Sequence, residues 1–307
     1  MEIDIYVPVL LAAATGMSAR WVAHRLPPRT ATRLLTLAAV VTAAACSFSV
    51  GVMAFLLVAH IPFAAALGHW SLPTLRADDQ VPLAASVVGA LGSVLVVVLL
   101  ATVLWQHVCA VLSARDHCSR IGGEPGRLVV LDSERADAYA LSAGRGRIVV
   151  TRRLLQGLSA AERRALLAHE HAHLEHHHHR YRHAVALAAA LCPLLLPMRE
   201  AIEYATERWA DETAADELAS RRLVATALAR TSVLVGADAP RRPAFALAGA
   251  GGPVVRRIRA LLLPAPRQRP LLVLAVLAIT VLALAMALDV RSDTERLLEA
   301  ACFVCDA

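Results

Sequence analysis

The 307-residue chain contains no lysine: all 31 of its basic residues are arginines. That absence excludes chemistry needing an ε-amino group, including the Ser-x-x-Lys acylation site of penicillin-binding domains. The arginines are scattered along the chain rather than gathered on one face. The formal net charge of +6 therefore does not describe a nucleic-acid binder, and no direct contact with nucleic acid is expected. Aromatic residues make up only 4% of the chain and charged residues 18%. The six cysteines, at positions 46, 109, 118, 192, 302 and 305, form no four-cysteine zinc pattern. The opening residues Met1-Glu2-Ile3-Asp4 are acidic and lack the basic start of a cleaved signal peptide.

What the chain has in abundance is apolar sequence. Hydrophobic residues reach 57%, and the mean hydropathy of +0.55 is too high for an ordinary soluble domain. Residues 5–23, 34–59 and 83–112 are expected to form three transmembrane helices, and residues 270–288 a fourth. Residues 113–269 form a polar region between the third and fourth, and residues 289–307 a short acidic tail. Arg20, Arg25, Arg29 and Arg33 cluster near the connection after the first span. The loop after the second span carries only Arg76, set against Asp78 and Asp79. The positive-inside rule then places residues 113–269 in the cytoplasm and both termini outside. Trp21, Trp70 and Trp105 fall near span ends, as interfacial anchors do.

Residues 184–198, with Pro193 and Pro197, are apolar but short for a span. A buried or membrane-skimming helical hairpin is expected there, because a crossing would part the two halves of the site described next. Cys46 and Cys109 read as small buried hydrophobes. Cys302 and Cys305 are either an extracytoplasmic redox pair or two incidental thiols of the tail.

One stretch carries chemistry. His169-Glu170-His171-Ala172-His173 is an H-E-x-x-H sequence. On a helix, i and i+4 are about 400° apart, so His169 and His173 leave one face a turn apart, as two zinc ligands require, with Glu170 beside them as a general base. Ser159-Ala160-Ala161-Glu162 reads as a capping box opening that helix, and Arg147-Ile148-Val149-Val150-Thr151 as a strand before it. A third ligand is sought downstream, where Glu207 and Asp211 share a helix face. Glu212 and Asp216 have the same spacing, so spacing alone leaves both pairs open. His171 and His176 to His179 read as a solvated extension of the helix, or as a second metal site, since His173 and His177 are also i, i+4.

The H-E-x-x-H sequence, followed by Glu207-Arg208-Trp209-Ala210-Asp211 in a membrane protein, resembles the gluzincin membrane peptidases. These include the CAAX prenyl proteases, the HtpX heat-shock proteases and the BlaR/MecR antirepressors. The last resemblance is the closest, on the order of three spans, a cytoplasmic peptidase region and a fourth span. Ala136 to Ala140 and Val254-Val255-Arg256-Arg257-Ile258 are weaker echoes. The resemblance implies a mainly α fold: a four-helix transmembrane region plus a cytoplasmic α+β gluzincin-like zinc peptidase domain with a small β-sheet. It implies Zn2+ held by His169, His173 and Glu207, Glu170 as catalytic base, and Asp211 as the partner of a ligand histidine. It also implies that Ala138, Tyr139 and Ala140 lie on an edge strand that receives substrate backbone.

The expected location is a bacterial plasma membrane. The expected partners are the lipid bilayer and a cytoplasmic protein substrate, a transcriptional repressor by that resemblance. The penicillin sensors of the group carry an extracellular acylatable domain; here only residues 289–307 follow the last span and lysine is absent, so no direct β-lactam acylation is expected. Arg182, His183 and Arg208 are candidates to steady the oxyanion, and sequence does not rank them. Two alternatives remain at this point, a histidine-rich membrane metal transporter or sensor, and an inactive peptidase fold acting as a signalling scaffold.

Overall fold

The computed structural model describes residues 5–79, 81–121, 128–141, 146–238 and 252–302. It is mainly helical, with one small sheet. Three of its helices are long and apolar enough to cross a membrane: Pro28–Ala59, Leu83–Ser113 and Pro270–Ala301. The first predicted span forms α1 (Val7–Arg25). With Arg20, His24 and Arg25 in its second half, it is not among those three. The second span is α2 (Pro28–Ala59), started by Pro28 in the first turn, where a missing N–H costs nothing. Short helices α3 (Pro62–Gly68) and α4 (Leu72–Asp78) follow, then α5 (Leu83–Ile121). Most of α5 faces outward, with Val88, Leu91, Val94, Val97 and Trp105 exposed. Cys109, expected to be buried, is exposed on the same helix.

The polar region opens with three strands, β1 (Leu128–Leu131), β2 (Ala138–Leu141) and β3 (Arg147–Thr151). Their spatial order is β1-β3-β2, with β1 parallel and β2 antiparallel to β3. Val149 and Val150 of the central strand are fully buried, and β2 is left at the sheet edge. Helices α6 (Arg152–Gly157), α7 (Ala160–Glu175), α8 (His178–Leu191), α9 (Leu196–Glu217), α10 (Arg221–Asp238) and α11 (Pro253–Leu262) complete the region.

Residues 184–198 form a hairpin: the end of α8, a 3-10 turn at Pro193–Leu195, and the start of α9. The hairpin is sunk between α1 and α2. Val185, Ala188, Cys192, Leu195, Met198, Ala201 and Ile202 share one buried cluster with Ala12, Ala19, Val22 of α1 and Leu35, Ala39, Cys46 of α2. Ser47 Oγ donates to the Leu191 carbonyl at 2.9 Å. Ser47 stands roughly 20 Å along α2 from Arg33 at the helical rise of ~1.5 Å per residue, so the tip reaches the middle of α2. Gly16 makes the approach to α1 tight: a Cβ there would sit 2.2 Å from the Leu194 carbonyl oxygen.

The last predicted span lies within a longer helix. Helix α12 (Pro270–Ala301) continues past Asp289 to Ala301. The extra turns are used at the far end of the bundle, where Val290, Leu297 and Ala301 pack with Val52, Leu56, Leu75 and Val81. Cys302 pairs there with Trp70 in an isolated bridge. Cys305 lies outside the described residues.

Candidate metal centre

Helix α7 forms where the capping residues direct it. The Ser159 hydroxyl accepts from the Glu162 amide at 3.3 Å, and the Glu162 carboxylate accepts from the Ser159 amide at 2.7 Å. Two of the four N-terminal amides that a helix leaves unpaired are thereby satisfied. Three turns later His169 and His173 leave the same face, their ring centroids 4.8 Å apart and nearly perpendicular.

Helix α9 brings Glu207 to the pair. The Nε2 atoms of His169 and His173 are 3.2 Å apart. Glu207 oxygens lie 3.6 Å from the first and 3.4 Å from the second. Ligand atoms ~2.0–2.1 Å from a tetrahedral zinc ion stand about 3.3 Å from one another. Two imidazoles and one carboxylate at these separations therefore fit zinc in both distance and chemistry. Among the described residues this is the one trio whose ligand atoms all lie within 4.8 Å of each other. Glu212 is drawn elsewhere, bound at 2.8 Å by Arg208 and at 2.8 Å by Arg221.

A second layer holds these ligands. Asp211, one turn after Glu207, stands 3.1 Å from His169 Nδ1. Arg257 of α11 donates to both Asp211 oxygens, at 2.8 and 2.7 Å, and reaches Glu207 at 2.7 Å. Arg182 of α8 donates to Glu207 at 2.6 Å and to the Thr206 hydroxyl at 3.1 Å. Arg257 was visible in the sequence only as a weak echo, 46 residues beyond Asp211.

His178 was not foreseen. The histidine run does not continue α7: the chain turns at His176 and His177, the latter in the left-handed region (φ 51°), and α8 begins at His178. His178 is 1% exposed, and its Nδ1 lies 2.8 Å from Nδ1 of His173. It fixes the far side of that ligand ring, the role usually taken by a carboxylate or carbonyl. Trp209 closes the back of the run, stacked on His176 at 4.7 Å and 4.9 Å from His178. Arg33 and Arg29 of α2 sit over its ring at 5.5 and 5.9 Å. The candidate metal centre is therefore joined, through His178 and Trp209, to the start of α2.

The electrostatics keep the carboxylates Glu207 and Asp211 ionised. Burial alone would lower the His169 imidazole, but hydrogen bonds to Asp211 and Glu207 lift it to about 10. Burial, with the charge of His169, pushes His173 down to about 3. Burial alone would raise Glu207, yet the His169 hydrogen bond and the Arg257 charge hold it well below the usual carboxylate range. Asp211 is lowered in the same way, burial being overcome by its bonds to Arg257 and His169. Glu170 differs: burial raises it, only partly offset by His169. It is the one carboxylate of the site inclined to take up a proton.

Two cavities meet at the site. A cleft of about 490 Å³ is lined by His169, Glu170, His173 and Glu207 on one wall and by Ala138, Tyr139 and Ala140 of the edge strand on the other. Arg182 and His183 also line it, whereas Arg208 is engaged with Glu212 and lies outside this lining. Beside Glu170 a smaller, mostly apolar pocket of about 180 Å³ is lined by residues including Leu166, Val224, Ala227 and Leu228.

A trio able to hold a metal ion, next to a buried carboxylate and on a cleft shared with a strand, is the kind of site a metallopeptidase uses. Residues 117–192 match the model of peptidase family M48, a stretch that includes α7 and stops short of Glu207. No curated protein and no solved structure matches the chain. The match, the trio and the three apolar helices together indicate a membrane-associated metallopeptidase.

Proposed function

We propose that the chain is a membrane-embedded zinc endopeptidase that hydrolyses peptide bonds of a cytoplasmic protein in a signalling or stress response. The observation that carries this reading is the convergence of His169, His173 and Glu207 beside buried Glu170. Bound there, zinc supplies Lewis-acid polarisation of the substrate carbonyl and acidifies a water toward a pKa of ~7.

The chain's own groups do the rest. Glu170 takes the proton of the attacking water and delivers it to the leaving amine. Its burial, which favours the protonated form, suits it to hold that proton between the two steps. Asp211 and His178 fix the rings of His169 and His173, and Arg257 fixes Asp211. The edge strand at Ala138, Tyr139 and Ala140 receives an extended substrate as an added strand, so that main-chain hydrogen bonds set the register of the scissile bond.

The identity of the substrate as a transcriptional repressor and the bacterial plasma membrane rest on the resemblance to the BlaR/MecR antirepressors, and the four-span topology on the apolar runs and the placement of the arginines. The test compares cells carrying the wild type with cells carrying Glu170→Gln. We expect Glu170→Gln to keep its zinc and lose cleavage, and fragments of a DNA-binding protein to appear only with the wild type. Unchanged turnover would remove Glu170 from its role and favour the scaffold alternative. Fragments confined to membrane or extracytoplasmic proteins would remove the repressor.

A further inference from the structure

Three histidines outside the trio lie where α5 packs against α8. His179 and His183 are i, i+4 on α8, and His107 of α5 reaches His183. The ring centroids of His107 and His183 are 4.3 Å apart at 78°, and those of His179 and His183 are 6.1 Å apart at 74°. The pair at the metal centre provides the scale: His169 and His173 are 4.8 Å apart at 80°. Two imidazoles bound to one tetrahedral ion at ~2.0–2.1 Å hold their centroids about 5 Å apart, between the two separations seen here.

His183 is exposed and open to an ion arriving through the cleft, which both His179 and His183 line. His179 Nδ1 is a buried nitrogen with no hydrogen-bond partner. A polar atom left so is costly unless something binds it. A side-chain rotation of His179 that shortens the 6.1 Å separation draws its ring into the same sphere as the other two.

We propose that His107, His179 and His183 form a second metal site, for a borderline divalent cation of the zinc, nickel and cobalt class. An all-imidazole set selects these ions over magnesium or calcium, which prefer oxygen ligands. The site would clip the cytoplasmic end of α5 to α8, the helix that also supplies Arg182 and His178 to the metal centre. The ion on the cleft wall would tie that wall to a membrane-crossing helix. It does not depend on the peptidase reading, and its test is a metal count.

The full-length protein in detergent is stripped with a chelator, equilibrated in zinc-buffered solution, and its bound zinc measured by mass spectrometry. The wild type is expected to hold about two equivalents and His107→Ala about one, a ligand lost from a three-imidazole site. His171→Ala, altering an exposed histidine of α7, is expected to keep both. Zinc in the double variant His169→Ala/His173→Ala is then read by X-ray absorption. A single equivalent with a nitrogen-only protein shell is expected. One equivalent in the wild type, two retained in His107→Ala, or a zinc-free double variant would each overturn the proposal.

Discussion

Asp211→Asn tests the second layer of the metal centre most directly. Asp211 is 1% exposed and serves two partners at once, His169 Nδ1 at 3.1 Å and the forked Arg257 contact at 2.8 and 2.7 Å. Asparagine keeps the shape and one acceptor, but its amide nitrogen now faces a donor and the negative charge is gone. The ring of His169 loses the group that orients it and strengthens its lone pair. Loss of such a partner weakens metal binding by ~10–100-fold, about 1.4–2.7 kcal/mol at ~1.36 kcal/mol per decade. Breaking a buried ion pair costs ~3–5 kcal/mol of stability. The lower end applies here, because Arg257 retains Glu207 at 2.7 Å. The assay is competition with a zinc chelator, run together with turnover at low and saturating zinc. The expected signature is a shifted chelator midpoint with turnover restored by excess zinc. A cycle with Arg257→Met should be sub-additive by ~0.5–3 kcal/mol, since both changes break one contact. Wild-type zinc affinity in Asp211→Asn would refute the reasoning outright.

Glu207→Ala should leave the stripped protein unable to hold its catalytic-site zinc at micromolar free metal; a normal count at that site would move the ligand role to another carboxylate. Zinc uptake should strengthen with pH. His169 carries a proton in the metal-free site up to about 10, and the ion must displace it, so affinity should rise about tenfold per pH unit between 7 and 9; a flat profile would contradict this. Gly16→Ala should cost ~1–3 kcal/mol through forced separation of α1 from the hairpin, read as a lower unfolding temperature in detergent. An unchanged midpoint would show that the contact with Leu194 yields freely. Ser159→Ala should cost about 1 kcal/mol by removing the cap of α7, and no loss of stability would make that cap redundant.

Much of this arrangement was legible because local rules acted alone. The capping box starts α7 at Ala160, and the i, i+4 rule puts His169 and His173 on one face whatever lies around them. The hairpin at residues 184–198 was legible from its length and its two prolines. The rest depended on where elements meet. Glu207 and Glu212 have equal spacing to an acidic partner, and only the pull of Arg208 and Arg221 on Glu212 distinguishes them. The four histidines from 176 to 179 are identical in composition. His178 is turned inward by a left-handed residue, His177, that is not glycine and so left no mark in the sequence. Cys109 was misplaced because a helix apolar on all sides does not reveal which face meets protein. Helix α12 runs beyond the apolar stretch because charges close an apolar run without closing a helix, and Arg291 and Glu295 support its continuation at i, i+4.

The placement of Glu207 ties the chemistry to the apolar helices. The first half of α9 is held in the cluster shared with α1 and α2, through Met198, Ala201, Ile202 and Ala205. Its second half carries Glu207 and Asp211, with Glu207 about two and a half turns beyond Met198 at ~3.6 residues per turn. Arg29 and Arg33 fix the same helix from the start of α2, through Trp209. One unbroken helix therefore has its foot among the apolar helices and its ligands at the ion. Close-packed contacts of small residues do not deform gradually, so a shift of α1 against α2 must either be resisted or carried to Glu207. His169 and His173 ride on α7, which packs through Ala165 and Ala168 against the second half of the same α9, at Ala214 and Ala215, and against α10. The two imidazoles are thus seated on the helix that carries the carboxylate, and the packing that places α9 among the apolar helices also sets where the trio meets.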